Sequence, residues 1–214
     1  MTDSFAFQMA IDIACSHSYL GWSRLQPVLR ETRAAGALID ISFLPAQIAP
    51  DAPVDPEPLD AVHARVFGPG AKAQTEAMTR AAAAEGIELR YDRAQFTNTR
   101  RAHLLLARAQ TQGLGEEAVT ELFAAYFRFG RNVSDPSVLR EIAASIGLDY
   151  GGGTTAAEEA ALDKALAHTR DLGIRSLPTL ITPAGGRYSG ALQREQYSTL
   201  LRDSTSRSIH QSAS

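Results

Sequence analysis

Residues 11–21 have the sequence Ile-Asp-Ile-Ala-Cys-Ser-His-Ser-Tyr-Leu-Gly, and this stretch decides the fold. Apolar side chains alternate along the residues that lead into it, from Phe5 to Ile13, which is typical of a strand with one buried face. A helical pattern follows from about Ser16 to Leu29. The single cysteine of the chain, Cys15, is therefore predicted to lie where a strand passes into the first turn of a helix.

The position of Cys15 predicts a reactive thiol. Unpaired backbone N–H groups and the helix dipole favour a thiolate at a helix N-terminus, where thiol pKa values fall to about 3.5–7.5 from about 8.5. We expect Cys15 to be the nucleophile, assisted by His17 and by the hydroxyls of Ser16 and Ser18. Asp12, just before it, is either a carboxylate that raises the thiol pKa or an ordinary polar residue at a strand end.

Each of these residues also has a purely structural interpretation. A free cysteine is often a small buried apolar side chain. A serine in the first turn of a helix often caps the backbone, and this applies to Ser18. His17 would then be an exposed histidine with no part in chemistry.

Composition narrows the class of protein. The chain has 214 residues, of which 44% are hydrophobic, enough for a full core without disulfides. The net charge of −3 argues against nucleic acid and anionic membranes as partners. We find neither a signal peptide nor an apolar run that could span a membrane. One cysteine and no zinc-ligand spacing predict no metal site and a reducing, cytoplasmic compartment.

The order of predicted elements indicates an α/β protein with a thioredoxin-like fold and an inserted all-helical domain. We assign residues 1–55 and 150–205 to the thioredoxin-like domain, 56–149 to the helical insertion and 206–214 to a disordered tail. After the first helix we expect a strand at 38–44 and a proline-dense linker. The further predicted elements are helices at 69–86, 98–113, 116–129 and 135–147, a helix at 157–172, a strand at 177–181, a return strand at 187–189 and a last helix at 193–202.

Several motifs occur in the order found in one family. The chain resembles the FrnE-like branch of the DsbA family, which is close to the 2-hydroxychromene-2-carboxylate isomerases and the kappa-class glutathione transferases. The resemblance implies a thioredoxin fold with a helical insertion and an active site in the cleft between them. The matching segments are 12–21, 98–103, 125–127, 134–136, 172–179 and 189–191.

The chain departs from the family at its chemical centre. FrnE-like proteins usually carry Cys-Pro-Trp-Cys, whereas residues 15–18 are Cys-Ser-His-Ser. Ser18 stands where the second cysteine would attack a mixed disulfide, and a hydroxyl cannot perform that step. An external thiol such as glutathione must then release the product. The usual Pro-Phe after the second strand is Pro45-Ala46 here, so Ala46 opens space near the cleft.

The resemblance implies further site residues. Pro178 is expected to be cis, with Thr179 after it, and the backbone of Leu177, which replaces the usual Val, would be free to pair with a substrate or with glutathione. Asn98 and His103 belong to an element that faces the cleft in the family. Their structural alternatives are a helix N-cap and a buried histidine.

Three functions follow as alternatives. The first is a thiol-disulfide oxidoreductase with one catalytic cysteine, which acts on a small-molecule thiol or disulfide. The second is a glutathione-dependent isomerase or transferase that acts on an aromatic or polyketide-like small molecule. The third is a binding protein that has lost catalysis. None requires a cofactor, although glutathione is a possible co-substrate, and relatives make a homodimer possible.

Overall fold

The computed structural model describes residues 4–151 and 153–211. The predicted α/β class and thioredoxin-like fold are confirmed. In chain order the elements are β1 (Phe5–Ile11), α1 (Ser16–Ala34), β2 (Ile39–Pro45), β3 (Glu57–Pro58), α2 (Leu59–Phe67), α3 (Ala71–Ala84), β4 (Gln95–Phe96), α4 (Arg100–Thr111), α5 (Gly115–Phe123), a π-helical segment (Ala124–Arg128), α6 (Pro136–Ser145), α7 (Ala156–Asp171), β5 (Thr179–Ile181), β6 (Arg187–Ser189) and α8 (Arg194–Gln211).

The main sheet places β1 at its centre. Its strand order is β2-β1-β5-β6, with β1 and β2 parallel and the other pairs antiparallel. Phe7, Met9 and Ile11 of β1 are buried, as the alternating pattern predicts. Because parallel strands end at the same edge of a sheet, the turn after β1 and the loop after β2 lie side by side. The amide of Ala46 donates to the carbonyl of Ile11 across that edge at 2.9 Å.

The helical insertion packs directly onto α1. The Trp22 ring is buried and its Nε1 donates to Thr120 Oγ1 at 2.9 Å. The ring of Tyr19 stacks on that of Phe127 at 5.4 Å between centroids. These side chains belong to one continuous hydrophobic core that also contains β1. The proposed boundaries of the insertion stay a prediction, and the two parts share a core.

Two features of the insertion differ from a purely helical block. Residues 57–58 and 95–96 form a two-residue antiparallel pair, β3 with β4. The helix predicted at 116–129 changes from α to π geometry at Ala124. The local sequence contains no Gly or Pro at that point, and the side chains of Tyr126 and Phe127 are buried there.

The last helix is longer than predicted. We placed its end at Arg202 and a disordered tail at 206–214, but α8 continues to Gln211. Tyr197 and Leu201 of α8 are buried and pack into the core. The same helix contacts α1. The Ser- and Thr-rich segment that follows contains no Gly or Pro to stop it. Residues 212–214 of the predicted tail lie outside the described residues. Within those residues, no helix has both the length and the apolar character needed to cross a bilayer.

Candidate active site

Cys15 occupies the position predicted from the sequence. It is the N-cap residue of α1, with extended backbone angles, and its carbonyl accepts the first helical hydrogen bond from Tyr19 N at 3.1 Å. The Sγ atom lies 4.0 Å from the carbonyl oxygen of Leu177. The Leu177–Pro178 peptide bond is cis, which confirms the expectation from the resemblance. The thiol therefore faces the loop before β5 across the cleft.

The expected low thiol pKa is wrong. Burial raises the pKa of Cys15 above its ordinary value, and the negative charge of Asp12 adds to this effect. The Ser18 hydroxyl and the backbone N–H groups of Ser18 and His17 lower the pKa, as a helix N-terminus should, but burial outweighs them. The contribution of Asp12 agrees with the hypothesis that its carboxylate raises the pKa of the thiol.

Ser18 lies beneath the cysteine and does not cap the helix. Its side chain is fully buried, and Oγ has no hydrogen-bond partner among the described residues. The Ser18 hydroxyl acts to lower the pKa of the Cys15 thiol. The alternative that Ser18 caps the backbone is wrong, because Cys15 itself occupies the N-cap position.

Asp12 and His103 form a buried pair under the site. Asp12 Oδ1 lies 3.3 Å from His103 Nε2, and both residues are 1% exposed. Asp12 Oδ2 accepts a second hydrogen bond from Ile48 N at 2.7 Å. His103 Nδ1 has no partner among the described residues. The resemblance placed His103 at the cleft; it lies instead behind the Cys15 turn, as the structural alternative predicted.

One pocket opens directly on the thiol. This apolar pocket has a volume of about 260 Å³, and Ser16 and His17 line it together with Cys15. His17 is exposed and Ser16 half-buried. The opposite wall comes from the helical insertion and is made of Leu59, His63, Phe67, Met78 and Tyr91. The pocket adjoins a larger cavity of about 540 Å³ between α2 and α3, which shares His63 and Tyr91.

A second pocket lies on the other side of Leu177. It has a volume of about 330 Å³ and is lined by Ala46 and Leu177, so two residues predicted from the resemblance do meet. Arg170 and Arg175 line it as well, and no Asp or Glu does. We call it the cationic pocket. The cleft is therefore apolar on one side of the thiol and positively charged on the other.

Besides Ser18, three predicted residues lie outside both pockets. Pro178 is buried, and Thr179 is fixed by hydrogen bonds to Ser176 O at 2.7 Å and Ser189 Oγ at 2.9 Å. Asn98 Oδ1 accepts from Arg100 N at 2.9 Å, and its Nδ2 donates to Pro50 O at 2.7 Å. Asn98 therefore accepts a hydrogen bond at the start of α4, but Thr99 is the N-cap residue, because α4 begins two residues later than predicted.

Sequence reasoning missed the aromatic wall and the arginines. His63 and Phe67 lie one turn apart on α2, whereas Tyr91 comes from the segment between α3 and β4, so no local spacing connects it to them. The one available signal was Phe67, a large apolar residue directly before Gly68-Pro69. It is 66% exposed at the mouth of the pocket. Among the described residues, no group of three or more His, Cys, Asp or Glu side chains could hold a metal ion.

The comparison with protein families decides the assignment. The profile of the DSBA-like thioredoxin domain matches residues 9–202. This chain belongs to the DSBA-like family. It is thus an enzyme of a family of thiol-disulfide oxidoreductases and isomerases. None of the curated proteins compared with the DSBA-like chain matches it.

Solved structures agree with this fold. A probable DsbA oxidoreductase from Streptomyces coelicolor is 24% identical, with a TM-score of 0.77 over 94% of this chain and 89% of its own. A 2-hydroxychromene-2-carboxylate isomerase is 16% identical, with a TM-score of 0.67 over 97% and 98%. The cytosolic disulfide reductase DsbM from Pseudomonas aeruginosa, solved with GSH, is 18% identical, with a TM-score of 0.59 over 98% and 100%. At these identities the likeness shows the fold alone.

Proposed function

We propose that this DSBA-like chain is a FrnE-like thiol-disulfide oxidoreductase with one catalytic cysteine, Cys15, and that glutathione or a similar thiol completes its cycle. The observation that carries the proposal is the Cys15 Sγ atom 4.0 Å from the Leu177 carbonyl, with Ser18 below it in place of a second thiol. A substrate disulfide that binds along Leu177 lies beside this sulfur.

The cycle balances with one protein thiol. The Cys15 thiolate attacks one sulfur of a disulfide, forms a mixed disulfide with it and expels the other sulfur as a thiolate, which takes up the proton. A second thiolate then attacks the sulfur that the substrate contributed to the mixed disulfide. Cys15 leaves as a thiolate and is reprotonated, and the external thiol becomes part of a new disulfide. The net reaction is thiol-disulfide exchange without loss of electrons.

The raised thiol pKa supports the reducing direction. A strongly oxidising enzyme of this type depends on a stabilised reduced form, because a stable thiolate is a good leaving group. Burial and Asp12 destabilise the Cys15 thiolate. The deprotonated sulfur is then a strong nucleophile towards the substrate, and its release from the mixed disulfide is the slower half of the cycle. A cytoplasmic location agrees with this direction, and both the location and a homodimer stay predictions.

The test is turnover of a small disulfide with and without glutathione. With bis(2-hydroxyethyl) disulfide as substrate and glutathione reductase as reporter, we expect turnover that needs glutathione and is abolished by Cys15→Ser. Intact-mass analysis of the protein should show one glutathione adduct, absent from the Cys15→Ser variant. Equal turnover by the wild type and Cys15→Ser would contradict the proposal.

A second function is favoured by the apolar pocket. Its wall of His63, Phe67 and Tyr91 beside the thiol has the chemistry of an aromatic-binding site. This supports a glutathione-dependent isomerase or transferase that acts on an aromatic small molecule. The discriminating experiment is Cys15→Ser, because such an enzyme would keep its glutathione binding and isomerase activity without the protein thiol, whereas the oxidoreductase would lose its turnover.

A further inference from the structure

The cationic pocket contains two arginines without a partner. Arg170 lies in the last turn of α7 and Arg175 in the loop before β5. Within residues 4–151 and 153–205, neither arginine forms an ion pair or a side-chain hydrogen bond. Other arginines of the fold, such as Arg24, Arg100 and Arg108, are paired with a carboxylate. Both side chains are exposed, and no acidic residue lines the pocket. Two guanidinium groups in one cleft without a carboxylate favour the binding of an anion.

The pocket reaches the reacting atoms through Leu177. Its carbonyl oxygen lies 4.0 Å from Cys15 Sγ, and Leu177 itself lines the cationic pocket. Its backbone N–H has no acceptor among the described residues, so it can donate to a ligand. A ligand bound by the arginines and by the Leu177 N–H therefore lies against the same residue whose carbonyl oxygen faces the thiol.

The two sides of the cleft differ in charge. The apolar pocket on the far side of Cys15 is lined mainly by apolar surface, and its polar side chains include no arginine or lysine. A disulfide or aromatic substrate fits that side, and an anionic co-substrate fits the arginine side. The volume of about 330 Å³ is within the range of small-molecule sites.

We propose that Arg170, Arg175 and the Leu177 N–H form a carboxylate-binding subsite for an anionic peptide thiol of the glutathione type, and this subsite sets the preference of the enzyme for that thiol. The proposal rests on the proposed function, because it assumes an external resolving thiol. It adds the chemical class of that thiol and the residues that select it.

The first test varies the charge of the thiol. Glutathione carries two carboxylates, N-acetylcysteine one, 2-mercaptoethanol none, and cysteamine carries a positive charge. We expect KM to increase in that order for the wild-type enzyme, and added salt to raise KM for glutathione and N-acetylcysteine but not for 2-mercaptoethanol. The double variant Arg170→Ala/Arg175→Ala should raise KM for glutathione about tenfold, while KM for 2-mercaptoethanol stays constant. Lysine at both positions should restore part of the preference.

The matched control is Arg30→Ala. Arg30 is exposed on α1, has no recorded partner and lies outside the described pockets, so its loss changes net charge without changing the subsite. A separate measurement tests binding without any reaction. The affinity of S-methylglutathione for the Cys15→Ser variant is measured by calorimetry, since neither partner then carries a reactive thiol. We expect binding that the two arginine substitutions weaken about tenfold and that Arg30→Ala leaves unchanged.

The outcomes separate the two proposals. If neutral and anionic thiols have the same KM, or if the double variant behaves like Arg30→Ala, the carboxylate subsite is wrong and the one-cysteine mechanism stands. If no thiol supports turnover but S-methylglutathione binds through the arginines, the mechanism is wrong and the subsite stands. The unfolding temperature of the double variant should stay close to that of the wild type, since neither side chain makes an ion pair or a hydrogen bond within the described residues.

Discussion

Asp12 and His103 are 91 positions apart in the chain, yet Asp12 Oδ1 lies 3.3 Å from His103 Nε2 in the core. The pair joins the end of β1 to α4 of the helical insertion. The second carboxylate oxygen binds Ile48 N at 2.7 Å, which brings the loop after β2 to the same point. Three segments that surround Cys15 are therefore fixed through one buried carboxylate.

Removal of the histidine should destabilise the fold. His103→Ala leaves Asp12 Oδ1 with only a long contact to Ala14 N at 3.4 Å, in a site without water access. We expect a loss of about 2–4 kcal/mol in the free energy of unfolding, because a buried carboxylate loses its partner. His103→Gln retains an amide donor and should lose less. Denaturant unfolding measures both, and equal losses would show that the hydrogen bond contributes nothing.

The thiol of Cys15 should react slowly at neutral pH. Because burial and Asp12 raise its pKa, the rate of alkylation by iodoacetamide should increase with a midpoint above that of an unstructured cysteine peptide. Asp12→Asn removes the negative charge and should shift the midpoint down. Asp51→Asn, at an exposed site in the loop after β2, is the control and should shift nothing. A midpoint below that of the peptide would contradict the burial argument.

Gly21 should tolerate no side chain. A Cβ atom there would lie 2.7 Å from Pro178 Cγ, 3.1 Å from Tyr197 Oη and 3.2 Å from Met9 Cε. We expect Gly21→Ala to cost about 1–3 kcal/mol by overpacking and to reduce turnover, because Pro178 adjoins Leu177. Gly70→Ala is the matched control, since a Cβ there meets nothing within 4 Å. It should leave both the free energy of unfolding and turnover unchanged.

Glu158 should stabilise the protein only above acidic pH. Hydrogen bonds from Arg108 and Thr155 lower its pKa from 4.5 to about 2. A carboxylate with a lowered folded-state pKa stabilises the fold above its unfolded pKa, and this contribution is lost as the pH falls from 4.5 towards 2. Glu158→Gln should cost roughly 0.5–1 kcal/mol at pH 7 and nothing near pH 2. Thermal unfolding against pH measures this, with Glu76→Gln as the exposed control; a constant difference would refute it.

The sequence predicts the structural features that depend on residues close together in the chain. Cys15 at the junction of a strand and a helix follows from alternation and helical spacing within about 25 residues. The raised pKa of the Cys15 thiol does not follow from these patterns, because the residues that bury it are distant in the chain, such as Leu177 and the aromatic residues between 63 and 91. For the same reason the sequence does not predict Arg170 and Arg175. They belong to no motif, and only the tertiary structure brings them into one pocket with Ala46 and Leu177.

Ser18→Cys should convert the enzyme to a dithiol. Ser18 lies three residues after Cys15, in the first turn of α1, and its side chain is fully buried. We expect oxidant to form an intramolecular disulfide and dithiothreitol-driven insulin reduction to proceed without glutathione. Ser16→Cys adds a thiol at an adjacent residue, where ring closure is strained, and serves as the control. Thiol titration before and after oxidation measures the bond. If Ser18→Cys keeps two free thiols or still needs glutathione, Ser18 does not occupy the place of a resolving cysteine.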